Sequence, residues 1–274
     1  MVCSSHLDLL KKYKFFSPEI LPRVNLLTSN NSMLISDTEN NSSVSMAISI
    51  AIISFWFASL IVLLKLELSQ VPLIAILIAV WLRAFLHTGM FIIIHDSIHG
   101  VVSNNPKLND FMGYVAAFLY AILPYQTLAK NHRIHHRYPA TERDPDFYHE
   151  NPRNFWLWYG SFMKDYQKGN QFWILFWGMT VVFWILIFLN ISLPNIFLFW
   201  VIPIIISSLQ LFTFGIYLPH RPQPEGYNDR HRAKSSNYAI WLSFITCYHF
   251  GYHWEHHQYP NLPWYKLPLA RRLI

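Results

Sequence analysis

The residues most able to do chemistry in this sequence are its fourteen histidines, most of which fall into three clusters. Members of a cluster are mostly three or four residues apart, so on a helix their imidazoles would share one face. Imidazoles on one face can bind one metal ion together. The clusters are His95 and His99; His132, His135 and His136; and His253, His256 and His257.

The residue types in the chain limit which kinds of metal site these clusters can form. Imidazole suits iron, zinc, copper and nickel. Cys3 and Cys247 are the only cysteines, so the chain offers neither a disulfide framework nor a cysteine-based metal or haem attachment motif. The Glu-x-x-His pairs of soluble di-iron carboxylate bundles are absent as well. Eight imidazoles have a natural capacity for two metal ions, so the sequence predicts a nitrogen-rich di-metal site.

The composition indicates that membrane helices position these clusters. Hydrophobic residues make up 53% of the chain and charged residues only 13%, whereas roughly 25% of the residues in a soluble domain are charged. A helix that crosses a bilayer needs about 20 apolar residues. Four such stretches occur, at 44–64, 71–94, 172–189 and 195–218. We therefore expect an all-α, multi-pass integral membrane protein whose four transmembrane helices form two hairpins.

A further uncharged stretch, 111–128, lies between the second and third spans and contains Pro124, which interrupts a helix. A full crossing here would put the first two histidine clusters on opposite faces of the membrane. We therefore expect a re-entrant or surface-lying segment. Residues 43–274 are expected to form this membrane domain. Residues 1–42 are polar, lack a signal-peptide core and are expected to form a flexible tail.

The net charge of +6 reflects membrane orientation and not nucleic-acid binding, which we do not expect. Lys and Arg residues gather before the first span, between the second and third, and after the fourth. The short connections within the two hairpins hold almost none. By the positive-inside rule, the N-terminus, the central loop and the C-terminus share the cytoplasmic side. We expect the metal site on that side too, since the clusters lie at the same ends of the spans.

The order and spacing of the clusters, H-x-x-x-H, H-x-x-H-H and H-x-x-H-H, resemble those of the membrane fatty acid desaturase and hydroxylase superfamily. Within it, four longer runs look specifically like the bacterial-type β-carotene ketolases. They are HDSIHG at 95–100, HRIHH followed by DPDF at 144–147, FGIYLPHR at 214–221 and CYHFGYHWEHHQYPNLPWYKLP at 247–268. The resemblance covers nearly the whole chain after residue 44.

This resemblance implies a non-haem di-iron oxygenase that uses O2 to turn the ring methylene at position 4 of β-carotene into a ketone, through echinenone to canthaxanthin. The apolar carotenoid would stay in the bilayer among the membrane lipids. No G-x-G-x-x-G fingerprint and no ferredoxin-type cysteine run is present. Electrons are therefore expected from a separate donor, such as a ferredoxin with its reductase.

The resemblance also implies which side chains hold the two irons. The eight clustered histidines are the expected ligands, with one more near the end of the fourth span. For that position His220 comes first, His249 next and His231 after it. Carboxylates that could accept a free imidazole N–H and fix the ring are Asp96, Asp144, Asp146 and Glu255. Asp96 and Glu255 are favoured because they adjoin ligands in sequence.

Two other functions are compatible with parts of this pattern. An acyl-lipid desaturase or a carotenoid 3-hydroxylase of the same superfamily would carry the same histidine boxes. Only the runs around LPHR and HFGYHWEHH favour the ketolase. A divalent-metal transporter could also use histidines, but it would hold them near the middle of the membrane on discontinuous helices. The clusters here fall at the predicted helix ends and in the loops.

Overall fold

The computed structural model describes residues 42–227 and 229–272, and within these ranges the chain is helical with no strand. The expected tail, residues 1–42, lies outside the described residues except for Ser42, which begins the first helix. The helices are α1 (Ser42–Leu64), α2 (Leu73–Ile98), α3 (Pro106–Ala121), α4 (Tyr125–Arg137), α5 (Phe155–Tyr166), α6 (Asn170–Phe188), α7 (Leu193–His220), α8 (Ile240–Cys247), α9 (His253–Gln258) and α10 (Leu267–Arg272).

Helices α1, α2, α6 and α7 are long and apolar enough to cross a membrane, which confirms the predicted all-α fold with four spans. Two of them extend beyond the predicted bounds at the ends that carry histidines. Helix α2 continues to Ile98 and so includes His95, and α7 ends at His220. At the ends of these two spans the polar residues continue the helix. The helix therefore fixes the direction of their side chains relative to the apolar part of the span.

The segment between α2 and α6 does not cross the membrane. Helices α3 and α4 are bent by 104° relative to each other. Ile122 adopts a left-handed conformation with φ 55°, and Pro124 follows, so α3 cannot continue through this turn. Helix α4 then returns to the end of α2, where the Nε2 atoms of His99 and His132 are 2.8 Å apart. Because the segment begins and ends on one side, it is re-entrant or surface-lying, as predicted.

Buried polar bonds join α1, α2 and α7 inside the spanning region. Arg83 of α2 is fully buried and donates from Nη1 to the carbonyl of Trp56 at 2.6 Å and from Nε to that of Phe199 at 3.1 Å. The indole N–H of Trp56 in turn donates to Nδ1 of His87 at 3.0 Å. Phe199 lies in a π-helical turn of α7, Phe197–Val201, and such turns leave carbonyls without their usual helical partner. The guanidinium therefore satisfies a carbonyl that lipid could not.

The hydrophobic core lies where α2 approaches the histidines. Met90, Ile92 and Ile94 of α2 are 0% exposed, and they belong to one buried cluster with Ala116 and Ala117 of α3. Small residues let two membrane helices pack closely. This packing fixes the last turns of α2, which carry His95 and are followed directly by His99.

Candidate metal centre

Nine histidine side chains converge in two groups, and within each group the ligand atoms lie within 4.8 Å of one another. All eight histidines of the three sequence boxes are among them, together with His220. Cluster 1 consists of His95, His99, His132, His136 and His256. Cluster 2 consists of His135, His220, His253 and His257.

Two helices contribute to both clusters. Helix α4 directs His132 and His136 to cluster 1 and His135 to cluster 2. Helix α9 divides its three histidines in the same manner, with His256 in cluster 1. Histidines four residues apart on a helix point the same way, while the third histidine, which lies between them in the sequence, points to the side. The clusters adjoin, since the rings of His136 and His257 stack with their centroids 4.2 Å apart.

The five Nε2 atoms of cluster 1 form a chain of short contacts. The separations are 2.8 Å for His99 and His132, 3.1 Å for His132 and His136, 2.8 Å for His136 and His256, and 3.0 Å for His256 and His95. Two nitrogens at about 2.1 Å from one ion, and at right angles, would be roughly 3 Å apart. The observed spacing is therefore that of neighbouring ligands on one metal.

Hydrogen bonds alone cannot account for cluster 1. A neutral imidazole Nε2 carries either one proton or one lone pair, so it makes only one hydrogen bond in this plane. Five nitrogens joined by four contacts can then make at most two such bonds. Burial lowers the pKa of His256 well below its ordinary value, which keeps the ring neutral. A cation that accepts five lone pairs satisfies every nitrogen, so the donor set fits a metal ion.

Cluster 2 contains ring nitrogens without partners. The Nε2 atoms of His135 and His220 are buried and have no hydrogen-bond partner among the described residues, and leaving such a group unsatisfied costs about 1–3 kcal/mol. The Nε2 atoms of His253 and His257 are 3.1 Å apart. Burial lowers the pKa of both of these rings well below its usual value. Four clustered imidazoles, with the buried Nε2 atoms of His135 and His220 left without partners, also fit a metal ion.

The Nδ1 atoms of His135 and His220 have partners that select the tautomer. His135 donates from Nδ1 to both oxygens of Asp144, at 3.0 and 3.1 Å. His220 donates from Nδ1 to the carbonyl of Arg232 at 2.9 Å. Burial raises the pKa of Asp144, but the adjacent His135 more than offsets this, so the net pKa is lowered. With the proton on Nδ1, each Nε2 presents its lone pair to the cluster.

The two favoured carboxylates differ in what they contact. Asp96 approaches Nδ1 of His95 at 3.3 Å and accepts from the backbone N–H of Trp264 at 3.2 Å. Glu255 is 1% exposed, but its partners are Arg271, at 2.7 Å, and the hydroxyl of Ser235. The structure therefore brings Asp96 to an imidazole and turns Glu255 toward Arg271, away from the ring beside it in sequence.

Only one of the three candidates for the additional ligand joins a cluster. That residue is His220, at the end of α7. His249 lies outside both clusters, and its ring stacks on Tyr252 with centroids 5.6 Å apart. Nε2 of His231 is 2.8 Å from the side-chain oxygen of Gln258. Which of the three histidines joins a cluster depends on the path of the chain after α7. Their spacing in the sequence does not reveal that path.

An apolar cavity of about 360 Å³ leads to the histidines from the membrane-spanning region. His95 and His132 of cluster 1 line one end, as do His135 and His253 of cluster 2. Leu175 and Met179 of α6 line the cavity within the span. Its other apolar walls include Phe91, Leu128, Phe162, Leu211, Phe212 and Phe250. An apolar molecule dissolved in the bilayer could therefore reach both clusters.

Two of the residues that shape this site could not be singled out from the sequence. Arg232 contributes its backbone carbonyl to His220, and a backbone acceptor leaves no signal in the residue type. Tyr166 donates its hydroxyl to Asp146 at 2.7 Å, beside the cavity. The DPDF run gave the signal for that carboxylate, but nothing distinguishes Tyr166 among 15 tyrosines.

Comparison with known proteins shows which family carries this architecture. The family model for fatty acid desaturases matches residues 70–274, which include every histidine of both clusters. The chain belongs to the fatty acid desaturase family. This membership confirms the superfamily expected from the order and spacing of the boxes. Both clusters of this desaturase-family protein lie within the matched region.

Within this family the chain is similar to several carotenoid ketolases. It is 37% identical to the β-carotene ketolase of Paracoccus sp. strain PC1 over 238 residues, which cover 86% of this chain and 95% of the relative. Identity to the β-carotene ketolase of Paracoccus sp. strain N81106 is 38%, over 83% of this chain and 92% of the relative. The zeaxanthin 4-ketolase of Chlamydomonas reinhardtii is 36% identical, over 80% and 49% respectively. No solved structure matches the chain.

Proposed function

We propose that this protein is a β-carotene ketolase that oxidises the ring methylene at position 4 to a ketone. The observation that carries the proposal is the apolar cavity, which extends from α6 to His95 and His132 of cluster 1 and to His135 and His253 of cluster 2. Similarity to β-carotene ketolases over most of the chain supports the same substrate. The products would be echinenone after one ring and canthaxanthin after both.

Each histidine cluster would hold one iron ion. Cluster 1 offers five imidazoles and cluster 2 offers four, and both sets contain nitrogen donors alone. When bound, the two irons would activate O2 for attack on the allylic C–H bond at ring position 4. Asp144 and the Arg232 carbonyl would keep His135 and His220 in the tautomer that binds metal.

The protein itself would position the ring and exclude water. Phe91, Phe212 and Phe250 line the cavity beside the histidines, so the ionone ring would lie against apolar side chains while the polyene extends toward the bilayer. Two successive hydroxylations at the same carbon would give a geminal diol. Loss of water from this diol then leaves the ketone. Each hydroxylation consumes one O2, two electrons and two protons and releases one water.

The location of the site and the source of electrons are also part of the proposal. The ends of α2 and α7 that carry His95 and His220 lie on the side where the basic segments gather, which supports a cytoplasmic site. The sequence carries no nucleotide-binding fingerprint or iron–sulfur motif. A separate donor of the ferredoxin type, with its reductase, would therefore deliver the electrons.

The test is pigment analysis by liquid chromatography in a bacterial host that makes β-carotene. We expect echinenone or canthaxanthin with the intact chain and with His149→Ala, since His149 is exposed and lies outside both clusters. His135→Ala should yield neither ketone. Zeaxanthin in place of ketones would identify a ring hydroxylase. Unchanged β-carotene with folded, iron-loaded protein and a working donor would contradict the carotenoid assignment and direct the search to acyl lipids.

A further inference from the structure

We infer that Arg232 is a positioning residue for the second metal ion, because it is connected to two histidines of cluster 2. One connection runs through its backbone and the other through its side chain. The inference rests on the proposed di-metal function and adds to it a residue whose type gives no sign of that role. Arg232 lies in the long connection between α7 and α8.

The backbone connection leads to His220. The carbonyl of Arg232 accepts from Nδ1 of His220 at 2.9 Å, which leaves the buried Nε2 of that ring free for the metal. The hydroxyl of Tyr227 donates to the carbonyl of His220 at 2.6 Å, and the Arg232 guanidinium lies 5.8 Å from the Tyr227 ring. Both the ring and the backbone of His220 are thus held by the same stretch of loop.

The side-chain connection leads to His135. Nη1 of Arg232 donates to the carbonyl of Ala140 at 3.0 Å. The N–H of Ala140 donates to Asp144 at 2.8 Å, and the Asp144 carboxylate accepts from Nδ1 of His135. Arg232 therefore fixes the loop after α4 that carries this carboxylate. The guanidinium thus links the loop after α4 to the connection between α7 and α8.

The backbone conformation supports a specific role for both residues. Arg232 has φ 44° and Ala140 has φ 51°. Non-glycine residues seldom adopt this left-handed region, and surrounding contacts must hold them there. In this protein those contacts are the bonds to His220, Asp144 and each other. The strain in both loops is thus maintained by the same interactions that orient the two ligands.

The experiment compares iron release from purified protein carrying Arg232→Gly, Arg232→Lys or Arg143→Gly with release from the unaltered chain. Glycine accepts the positive φ, so Arg232→Gly removes the guanidinium without adding backbone strain. Lysine keeps one donor. Arg143 is exposed, lines a surface cleft together with Arg232, Tyr138 and Ala140, and has no bond to cluster 2, which makes it the matched control. Iron per chain is measured first, and release to a chelator is then followed over time.

We expect two irons per unaltered chain, and fewer than two would contradict the proposed di-iron function itself. Given two irons, Arg232→Gly should release one of them about tenfold faster, the low end of the effect of removing a direct partner of a ligand, because both direct partners remain and only the link between their loops is lost; the other iron leaves at the unaltered rate. Arg232→Lys should give an intermediate rate, and Arg143→Gly should match the unaltered chain. The Mössbauer spectrum of the iron that Arg232→Gly retains should match that of His220→Ala and differ from that of His99→Ala.

Two results would overturn the inference. One is unchanged release of both irons from Arg232→Gly. The other is equal acceleration of both, since that would indicate general loosening of the fold and not an effect on cluster 2. If Arg232→Gly does not yield a single folded species by size-exclusion chromatography, Arg232→Lys decides the question: selective loss of one iron supports the role, and unaltered rates refute it.

Discussion

The imidazole of His135 donates to both carboxylate oxygens of Asp144, at 3.0 and 3.1 Å, and both side chains are about 1% exposed. The same carboxylate accepts the backbone N–H groups of Ala140 and Asp146, at 2.8 and 2.9 Å. One buried residue therefore orients a cluster 2 histidine and folds the loop that follows α4. This pairing links the loop's structure to the proposed metal site.

Removing this carboxylate should weaken iron binding at cluster 2. In Asp144→Ala, Nδ1 of His135 loses its acceptor, so the ring can rotate or change tautomer. We expect iron affinity at one of the two sites to fall by about 10–100-fold, and ketone formation to fall with it. Iron titration of the purified protein measures the change. Glu142→Ala, an exposed change in the same loop, should bind two irons as before, and equal binding by both variants would contradict the role of Asp144.

Two of the three candidates for the additional ligand, His220 and His249, should behave differently when replaced. His220→Ala removes a cluster 2 nitrogen, and we expect it to hold about half the iron of the unaltered chain. His249→Asn should retain all of it, because His249 belongs to neither cluster. Asparagine is chosen since it tolerates the positive φ of 63° at this position. Iron loss from His249→Asn, with retention by His220→Ala, would show that the ligand assignment is reversed.

Access through the membrane part of the cavity should depend on Leu175. This residue lines the cavity on α6, whereas its neighbour Ile174 is 50% exposed and faces lipid. We expect Leu175→Trp to reduce ketone formation by about tenfold, since a misfit in an apolar pocket has effects of this size. Iron content should stay the same. Ile174→Trp is the matched control and should keep normal activity, and equal activity of the two variants would exclude this route for the substrate.

Arg83 should contribute to stability more than to chemistry. Replacing it by Met removes the side-chain donor to the carbonyl of Phe199 and leaves that of Trp56 with only the hydroxyl of Ser59 as a side-chain donor, and an unsatisfied buried group costs about 1–3 kcal/mol. We expect Arg83→Met to lower the free energy of unfolding by about 3 kcal/mol, measured as earlier thermal loss of the folded species in detergent. Protein that remains folded should still bind two irons. Arg133→Met, at an exposed position on α4, should melt like the unaltered chain.

Much of the fold could be predicted because it depends on local composition. Apolar stretches of about 20 residues specify spanning helices wherever they occur, so all four spans were found within a few residues of their observed ends. Pro124 and the need to keep His99 and His132 on one side predicted the non-crossing segment. The helical spacing of the histidines predicted which rings would share a face, because that relation lies within one helix.

The sequence by itself determined the spans, the three boxes and the family, since each is encoded by neighbouring residues. Only the tertiary structure decided how the histidines divide between two clusters, that His220 joins them while His249 does not, and that Glu255 turns to Arg271. It also decided the role of Arg232, whose carbonyl meets His220 and whose guanidinium meets Ala140. These contacts join segments far apart in the chain. They depend on how α2, α4, α7 and α9 pack together, and no local pattern of residues encodes that packing.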